Sequence, residues 1–484
     1  MASSSTPGIR LSLPESSATP AAQRERYRDW YLTERDPIPV QRLHWRAGLF
    51  RQLVHLLPGD RILELGPGGG AFTRQLERIS RGENPIATYS FDRTATDTAP
   101  PREFDHVVGY DILDSRDAAQ TLRVAIDALK PGGHAVFFVT NPGNPILKAR
   151  RAAGIITGRR DQRGLLSRHE VEAELAAAGF TGVFSVFTDF LYAPLSRRGS
   201  RRLHDLSAVL QNVPVLQTFS GALAVYARKP GETARNVAPL TDHASLTGKV
   251  SVVVPCHNEE MNLELLVTRL RELYDAYIHE IILVDDNSSD GTADVIRSLS
   301  ESDSRVRAVF RRPPAGPGRA LADGYRAATG EFVLSLDADF AGLLPEVRDL
   351  FDAVAAGADV AVGSRFSPDS VLVNYPAMKI VANRGFHLLA SIVLHRHFRD
   401  LTNNLKLMRR EVVSRLSLSE GGFALNAETG MGPLVLGYKV VEVPISWVGR
   451  DENMGASSFR LAAAGPGYLN VLRELRRLTP ESGR

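Results

Sequence analysis

Asp337-Ala338-Asp339 closes the apolar run Phe332-Val-Leu-Ser-Leu336. Two carboxylates leaving the carboxyl end of a buried strand can hold one hard divalent cation and, through it, a diphosphate. Alone, such a triplet is as often a cap or a turn as a ligand pair. Two other apolar runs end in acidic segments, however: Val250-Ser-Val-Val-Val254 in Pro255-Cys-His-Asn-Glu259-Glu260, and Ile281-Ile-Leu-Val284 in Asp285-Asp286-Asn-Ser-Ser-Asp-Gly291. Strand ends in an open parallel sheet converge on a crevice where nucleotides bind. Asp286 is then placed to accept hydrogen bonds from a ribose or base edge, and Pro255 to shape the wall. Far upstream, Glu64-Leu-Gly66-Pro-Gly68-Gly-Gly70 follows another short apolar run and precedes a helical pattern, the setting in which glycine permits close approach of a ligand. One polypeptide thus carries two candidate sites.

The elements that must position these residues alternate between strand and helix patterns, which predicts α/β architecture with mostly parallel sheets. In the first half, strands are expected at 61–65, 86–91, 105–109, 134–139, 182–188 and 222–227. Helices are expected near 71–79, 118–129 and 168–178, the last capped by Gly179, with a turn at Lys130-Pro-Gly-Gly133. The pattern weakens from Lys229 to Gly248 and restarts at Lys249 without an internal repeat, so two different modules are expected. The organisation is a disordered tail at 1–23, a first domain at 24–229, a linker at 230–248, a second domain at 249–462 and a basic carboxyl-terminal helix or tail at 463–484.

A chain of 484 residues suits two domains, each able to bury a core, and 43% hydrophobic with 23% charged residues is a soluble composition. A net charge of +3 is too small to argue for nucleic acid. Basic residues cluster at Arg150, Arg151, Arg159, Arg160 and Arg163, at Arg197, Arg198, Arg201 and Arg202, and at Arg473, Arg476 and Arg477. Solvated surface and contact with anionic lipid or phosphate are both open for them. Cys256, the only cysteine, fits a reducing compartment. The run Leu388-Leu-Ala-Ser-Ile-Val-Leu394 is far shorter than the roughly 20 residues a spanning helix requires. The expectation is a cytoplasmic protein whose association with the cytoplasmic face of a membrane, if any, is peripheral.

The three acidic strand ends, with Gly363-Ser-Arg365, Arg399-Asp-Leu-Thr402, Gly437-Tyr-Lys-Val-Val-Glu-Val-Pro-Ile445 and Gly449-Arg450 before Gly455-Ala-Ser-Ser458, resemble glycosyltransferase family 2. Within it they are similar to the dolichol-phosphate mannose synthases and related polyprenyl-phosphate hexosyltransferases. The resemblance implies a GT-A fold, a GDP- or UDP-sugar donor, Mg²⁺ or Mn²⁺, inversion at the anomeric carbon and a polyprenyl phosphate acceptor. It implies that Pro255, Glu259, Asp285 and Asp286 hold the nucleoside, Asp337 and Asp339 the metal, and that Arg365 and Arg450 face the phosphates. An acceptor phosphate is largely ionised near neutral pH and needs no protein base. A glycan or other hydroxyl acceptor, which stays open, requires one. Glu428 is the candidate, though it is equally a polar residue opening a helix. Two positions depart from the family: Ala341 stands where a third metal ligand, Gln, is usual, and Ser458-Phe459-Arg460 replaces Ser-Lys. Residues 377–397 mix an apolar stripe with Lys379, Arg384 and Arg396, as either a core helix or a helix lying on a bilayer would.

Glu64 to Gly70, Phe104-Asp-His-Val-Val, the Lys130-Pro-Gly-Gly turn and Ser167-Arg-His-Glu-Val-Glu-Ala-Glu-Leu-Ala-Ala-Ala-Gly-Phe180 resemble a class I S-adenosylmethionine-dependent methyltransferase with a Rossmann-like fold. The resemblance puts the cofactor against Glu64, Gly66, Gly68 and Gly70, with Asp92 on its ribose. Only residues 93–103 separate Asp92 from the next strand, too few for the family's usual helix, third strand and adenine-binding acid. A truncated pocket is expected, and a non-catalytic scaffold stays open beside methyl transfer. His106, His169 and Asp111 are equivalent candidate bases.

Overall fold

A computed structural model describes residues 37–66, 70–89, 102–113, 115, 117–156, 164–190, 207, 210, 211, 213, 215–231, 239–340, 344–367, 370–373, 375–448 and 461–478. The expected tail at 1–23, the arginines at 159–163 and 197–202, Gly68, Asp92, Ala341, Arg450 and residues 458–460 lie outside the described residues. Two compact units divide the chain, Met1–Val237 and Ala238–Arg484.

The first unit opens with α1 (Pro37–Val54), a helix not anticipated from the sequence. Leu43, Ala47, Phe50 and Val54 recur at helical spacing along it and are all fully buried. There follow β1 (Ile62–Leu65), α2 (Ala71–Ile79), β2 (Ile86–Tyr89), β3 (Phe104–Tyr110), α3 (Ala118–Ala128), β4 (Leu129–Thr140), α4 (Pro145–Ile156), α5 (Arg168–Ala177), β5 (Thr181–Thr188), a 3₁₀ turn at Leu216–Phe219 and β6 (Ala222–Arg228). The sheet runs β2-β1-β3-β4-β6-β5. Its first four strands are parallel, and β6 lies antiparallel between β4 and β5. Every residue of β3 is buried, the pattern of a strand covered on both faces. The Lys130-Pro-Gly-Gly turn is a bulge within β4: the register jumps from Phe104 opposite Leu129 to His106 opposite His134, and Gly132 takes φ +72°. A capping box starts α5, with the Ser167 side chain accepting from the Glu170 amide and the Glu170 carboxylate from the Ser167 amide.

The second unit comprises β7 (Val250–Cys256), α6 (Leu263–Tyr274), β8 (Ile278–Asp285), α7 (Thr292–Ser302), β9 (Val306–Phe310), α8 (Pro317–Ala327), β10 (Phe332–Ser335), α9 (Leu344–Ala355), β11 (Val360–Ser364), β12 (Val371–Val373), α10 (Ala377–Leu394), β13 (Lys406–Arg409), α11 (Arg410–Ser414), α12 (Leu425–Val435), β14 (Val440–Pro444), β15 (Ser446–Val448) and α13 (Leu461–Leu478). Seven strands form one sheet in the order β14-β11-β13-β10-β7-β8-β9, and β12 pairs with β15 apart from it. Within the large sheet β13 is antiparallel to both neighbours, whereas β10, β7, β8 and β9 are parallel. Their carboxyl ends therefore open on one edge.

Leu263, Leu266, Val267, Leu270 and Leu273 form one buried stripe on α6, each worth about 2 kcal/mol of burial before its ordering entropy. The helix α8 approaches β7 so closely that a Cβ at Gly324 would stand 2.3 Å from Val253 Cγ1. Residues 239–248, expected as linker, are packed on the second unit: the Leu240 amide donates to Leu273 O at 2.9 Å, and His243 Nε2 lies 2.8 Å from Asp352 Oδ1. The expected carboxyl-terminal appendage is also part of the core, because Val471, Leu472 and Leu475 of α13 are buried with Met431 of α12. Among the described residues no helix is long and apolar enough to cross a membrane.

Candidate active site

A cavity of about 1020 Å³ opens where β7, β8 and β10 end. Pro255, Glu259, Asp286, Asp337, Asp339 and Arg365 all line it. Each leaves a strand at its carboxyl end or from the loop just beyond, which is why residues scattered over more than one hundred positions meet.

Asp337 and Asp339 lie past the end of β10, and Asn404 Nδ2 donates to Asp337 Oδ1 at 2.7 Å. Between and after them, Ala338 and Phe340 turn inward; Phe340 is buried edge-on against Trp447 with ring centroids 5.4 Å apart. Both carboxylates and Ala338 thus line the cavity, while Phe340 packs into the core. Two oxygen-ligand side chains facing an open cavity suit a hard cation that completes its shell with water and phosphate. Glu259 also lines the cavity; its carboxylate accepts from Asn262 Nδ2 at 2.6 Å, and its amide donates to Thr292 Oγ1 at 2.8 Å.

Asp286 reaches the cavity wall, yet its carboxylate is engaged within the protein. Gly316 donates its amide to Oδ2 at 2.6 Å, and Arg311 Nη1 pairs with Oδ1. Arg311 is in turn held by Asp323 at 2.7 Å. Asp286 therefore ties residues 311–316 into the wall, beyond the nucleoside contact expected of it. Asp285 does not line the cavity: it is buried and accepts the Ser288 amide at 3.2 Å. Asp285, expected among the donor-binding residues, shapes the turn after β8.

Arg365 is clamped by Asp400. Nε donates to Asp400 Oδ2 at 2.7 Å and Nη2 to Oδ1 at 3.0 Å, a bidentate pair whose carboxylate is fully buried. Tyr375 Oη lies 3.2 Å from Nη1, and Thr402 Oγ1 3.3 Å from Nη2. Burial alone would lower the Arg365 pKa, but the Asp400 charge more than offsets this and holds the guanidinium charged. Burial likewise pushes the Asp400 pKa up, and the pull of Arg365 outweighs it, leaving the carboxyl far below its ordinary range. Asp400, in the Arg399-Asp-Leu-Thr stretch, thus orients Arg365.

His387 of α10 backs this cluster. The Leu401 amide donates to its Nε2 at 3.1 Å, so Nδ1 carries the proton and donates to Asn383 O at 2.8 Å. The ring is neutral, in keeping with burial that lowers its pKa to about 4. Lys406, on β13, is wholly buried with Nζ donating to Asn403 O, and burial lowers its pKa to about 7. Neither His387 nor Lys406 was identifiable in sequence, since both sit in runs that read as core.

Glu428, expected as the base for a hydroxyl acceptor, does not line the cavity. Its carboxylate accepts the Ser419 amide at 3.0 Å, the Ser419 hydroxyl at 2.6 Å and the Glu420 amide at 3.5 Å, so it anchors the 419–422 loop. Burial still leaves its pKa raised. Asn426, two residues earlier, lines the cavity instead.

The cavity changes character away from the strand ends. Ala382, Phe386 and Leu389 of α10 and Tyr468 and Leu469 of α13 line its other side. On α10 that lining adjoins Met378, Val381, Leu388 and Ile392, which are exposed. The stripe that read equally as core or as bilayer contact is divided: Ile380, His387, Ala390 and Leu394 are buried, whereas Met378, Val381, Leu388, Leu389 and Ile392 are exposed.

In the first unit Gly66 and Gly70 flank the loop after β1. Glu64 is fully buried and Thr73 Oγ1 donates to its Oε2 at 2.5 Å, so it braces the start of α2. Of the candidate bases, His106 is buried with Nε2 2.9 Å from Asp60 Oδ2, a core contact. His169 is almost fully exposed on α5. Asp111 sits just past β3 and accepts from Thr140 Oγ1 at 3.0 Å. The structure does not bring these three together.

A family model described as glycosyl transferase family 2 matches residues 251–417. The polyprenol monophosphomannose synthase of Mycolicibacterium smegmatis is 32% identical over 243 residues, 48% of this chain and 91% of its own length. The dolichol-phosphate mannosyltransferase of Pyrococcus furiosus is 32% identical over 203 residues, 41% of this chain and 56% of its own length. Among solved structures, glucosyl-3-phosphoglycerate synthase from Mycobacterium tuberculosis with UDP is 19% identical, covering 51% of this chain and 87% of that one at a TM-score of 0.39, a likeness too slight to argue from.

Proposed function

The second half of the chain belongs to glycosyltransferase family 2, and from that premise we propose that it is an inverting transferase with a GT-A fold, moving a hexose from a GDP- or UDP-sugar to a polyprenyl phosphate at the cytoplasmic face of a membrane. The observation that carries this reading is the two-sided cavity. Carboxylates and Arg365 occupy the strand-end side, while Phe386, Leu389 and Leu469 lead from it toward the exposed apolar face of α10. A lipid phosphate has the same division, an anionic head on an apolar chain.

In the transfer, a phosphate oxygen of the acceptor attacks the anomeric carbon while the bond to the donor diphosphate breaks on the opposite face. The bonding pair leaves with the nucleoside diphosphate. The acceptor phosphate arrives ionised and needs no protein base, which accords with a Glu428 turned away from the cavity. Arg365, held charged and oriented by Asp400, is placed to receive an anionic oxygen from acceptor or donor. Asn404 orients Asp337, and Pro255 and Glu259 bound the nucleoside side. Asp337 and Asp339 would hold Mg²⁺ or Mn²⁺, which when bound neutralises charge gathering on the leaving diphosphate.

For the first unit we propose a methyltransferase-like fold. The order β2-β1-β3-β4-β6-β5, with an antiparallel strand inserted before the last, supports it, as does the glycine loop between β1 and α2. S-adenosylmethionine binding is open to calorimetry: no heat at millimolar cofactor would make the unit a scaffold.

Incubating the whole chain with labelled GDP-mannose or UDP-glucose and polyprenyl phosphate tests the main reading. Label should pass into organic solvent. Label that stays aqueous on a glycan would instead establish the hydroxyl-acceptor alternative.

A further inference from the structure

Asp337 and Asp339 supply only part of the shell of a hard cation, which takes about six or more oxygens. Among the described residues no three His, Cys, Asp or Glu side chains gather to hold a metal, so any further protein ligand here is of another kind. The antiparallel pairing of β10 with β13 brings one up. Ser335 stands opposite Lys406 in that ladder, and the same register carried two residues further sets Asn404 opposite Asp337, with both side chains on one face. Asn404 Nδ2 accordingly donates to Asp337 Oδ1 at 2.7 Å. The backbone behind it is pinned: Ser335 Oγ donates to Asn404 O at 2.7 Å, and buried Lys406 donates from Nζ to Asn403 O.

Asn404 lines the cavity and is only 3% exposed, yet its Oδ1 has no hydrogen-bond partner among the described residues. Turning the amide over would not satisfy it, because the oxygen would then face Asp337 Oδ1. A buried acceptor left unmatched is costly and calls for a ligand. Covalent geometry keeps this oxygen within about 5 Å of Asp337 Oδ1, close enough for one ion to touch both residues. Asparagine carbonyls are ordinary ligands of hard cations. A metal–oxygen bond of about 2.1 Å also reaches a recessed atom more readily than a sugar hydroxyl, whose oxygen stops about 2.8 Å away. Asn383 Oδ1 is unpartnered too, but its amide shares Asp400 Oδ1 with the Arg365 guanidinium, where a second cation is repelled.

We propose that Asn404 Oδ1 is a third protein ligand, beside Asp337 and Asp339, for the divalent cation that grips the donor diphosphate. The inference rests on the cation reading of those two carboxylates and adds to it a neutral oxygen from a different segment of the chain. That segment already carries Asp400, which clamps Arg365. Residues 400–404 thus position both the cation and the guanidinium that meet the phosphates, and loss of the Asn404 oxygen loosens the first without touching the second.

The test uses the full chain, labelled with ¹³C-asparagine and loaded with Mn²⁺ in the presence of GDP or, in parallel, UDP. A ligating Asn404 puts its Cγ about 3 Å from the ion, which electron–nuclear double resonance reads as a ¹³C coupling. The coupling should vanish in Asn404→Ala, and Mn²⁺ affinity, followed by the signal of the free ion, should fall about tenfold or more. Asn404→Asp keeps an oxygen, drops the N–H donor and carries no label. It should lose the coupling yet hold Mn²⁺ at least as tightly as wild type, which keeps the test open if Asn404→Ala misfolds. An Asn404 that only orients Asp337 gives the reverse: a ¹³C spectrum that neither variant alters, and Asn404→Asp as weak as Asn404→Ala. Either result overturns the proposal. Failure of the underlying reading looks different, since wild type would then bind no Mn²⁺ with either nucleotide, or Asp337→Asn with Asp339→Asn would bind it undiminished.

Discussion

Replacing Asp400 with Asn removes one charge and almost no volume from the centre of the second unit. In the wild type this carboxylate is fully buried and accepts from Arg365 Nε at 2.7 Å, Arg365 Nη2 at 3.0 Å and Thr402 Oγ1 at 3.0 Å. An amide cannot accept at both ends, so one N–H donor of Arg365 must face an N–H₂ group, and a nearly buried guanidinium loses its counter-charge. Breaking a buried pair by removing one partner costs roughly 3–5 kcal/mol, and the shape-conserving change argues for the lower end, about 3 kcal/mol. Because the chain holds two compact units, a global unfolding curve would blur the effect. Hydrogen exchange of peptides spanning residues 398–409 reads the opening free energy locally. The pH dependence has a definite sign: the Asp400 pKa is depressed in the folded state, so its contribution is present above the unfolded carboxyl value near 4 and is lost as pH falls below it. The gap between wild type and Asp400→Asn should thus be constant above about pH 5 and narrow on acidification. With Arg365 misaligned, kcat/KM should fall about 10- to 100-fold, the worth of one charge-assisted hydrogen bond to phosphate. Exchange rates within about 0.5 kcal/mol of wild type at pH 7.5, or a gap that widens in acid, would refute the reasoning.

Lys406→Met should stabilise the same peptides by ~4 kcal/mol at pH 7, a gain that falls by about 1.4 kcal/mol per pH unit above it. The buried amine has a folded pKa near 7 against an unfolded value near 10.4, so wild-type stability rises with pH between them and the advantage of methionine should vanish by about pH 10. Glu428→Gln should cost about 1–2 kcal/mol in exchange protection of residues 416–428 and leave kcat within a few-fold of wild type. A loss of about 10³-fold with unchanged stability would restore its candidacy as base. Asp337→Asn with Asp339→Asn should abolish the Mn²⁺-dependent part of the thermal shift produced by nucleotide sugar, leaving the protein folded; an undiminished shift would remove the cation from this site.

The α/β class, the strand ends of the second unit and the placing of Asp337 and Asp339 at one of them were legible because each depends on neighbours within a few residues: an apolar run, then a carboxylate where the run stops. What the pattern could not decide was orientation. Asp285 and Asp286 are adjacent, and alternation on a strand sends one to the turn and the other to the cavity wall. Asn426 and Glu428 lie about 200° apart on one helix, so only one could face the cavity, and local sequence does not say which.

The bulge at Lys130-Pro-Gly-Gly was readable as a turn, whereas α1 was not seen, since its buried stripe makes sense only against a sheet formed later in the chain. The amino-acid order alone therefore determined where strands end and what chemistry their ends carry. Only the tertiary structure decided that Asp400 clamps Arg365 across 35 residues and that Glu428 braces a loop. The reason is physical: hydrogen bonding and burial act over a few ångströms in space, and chain order constrains those distances only for residues close together along it.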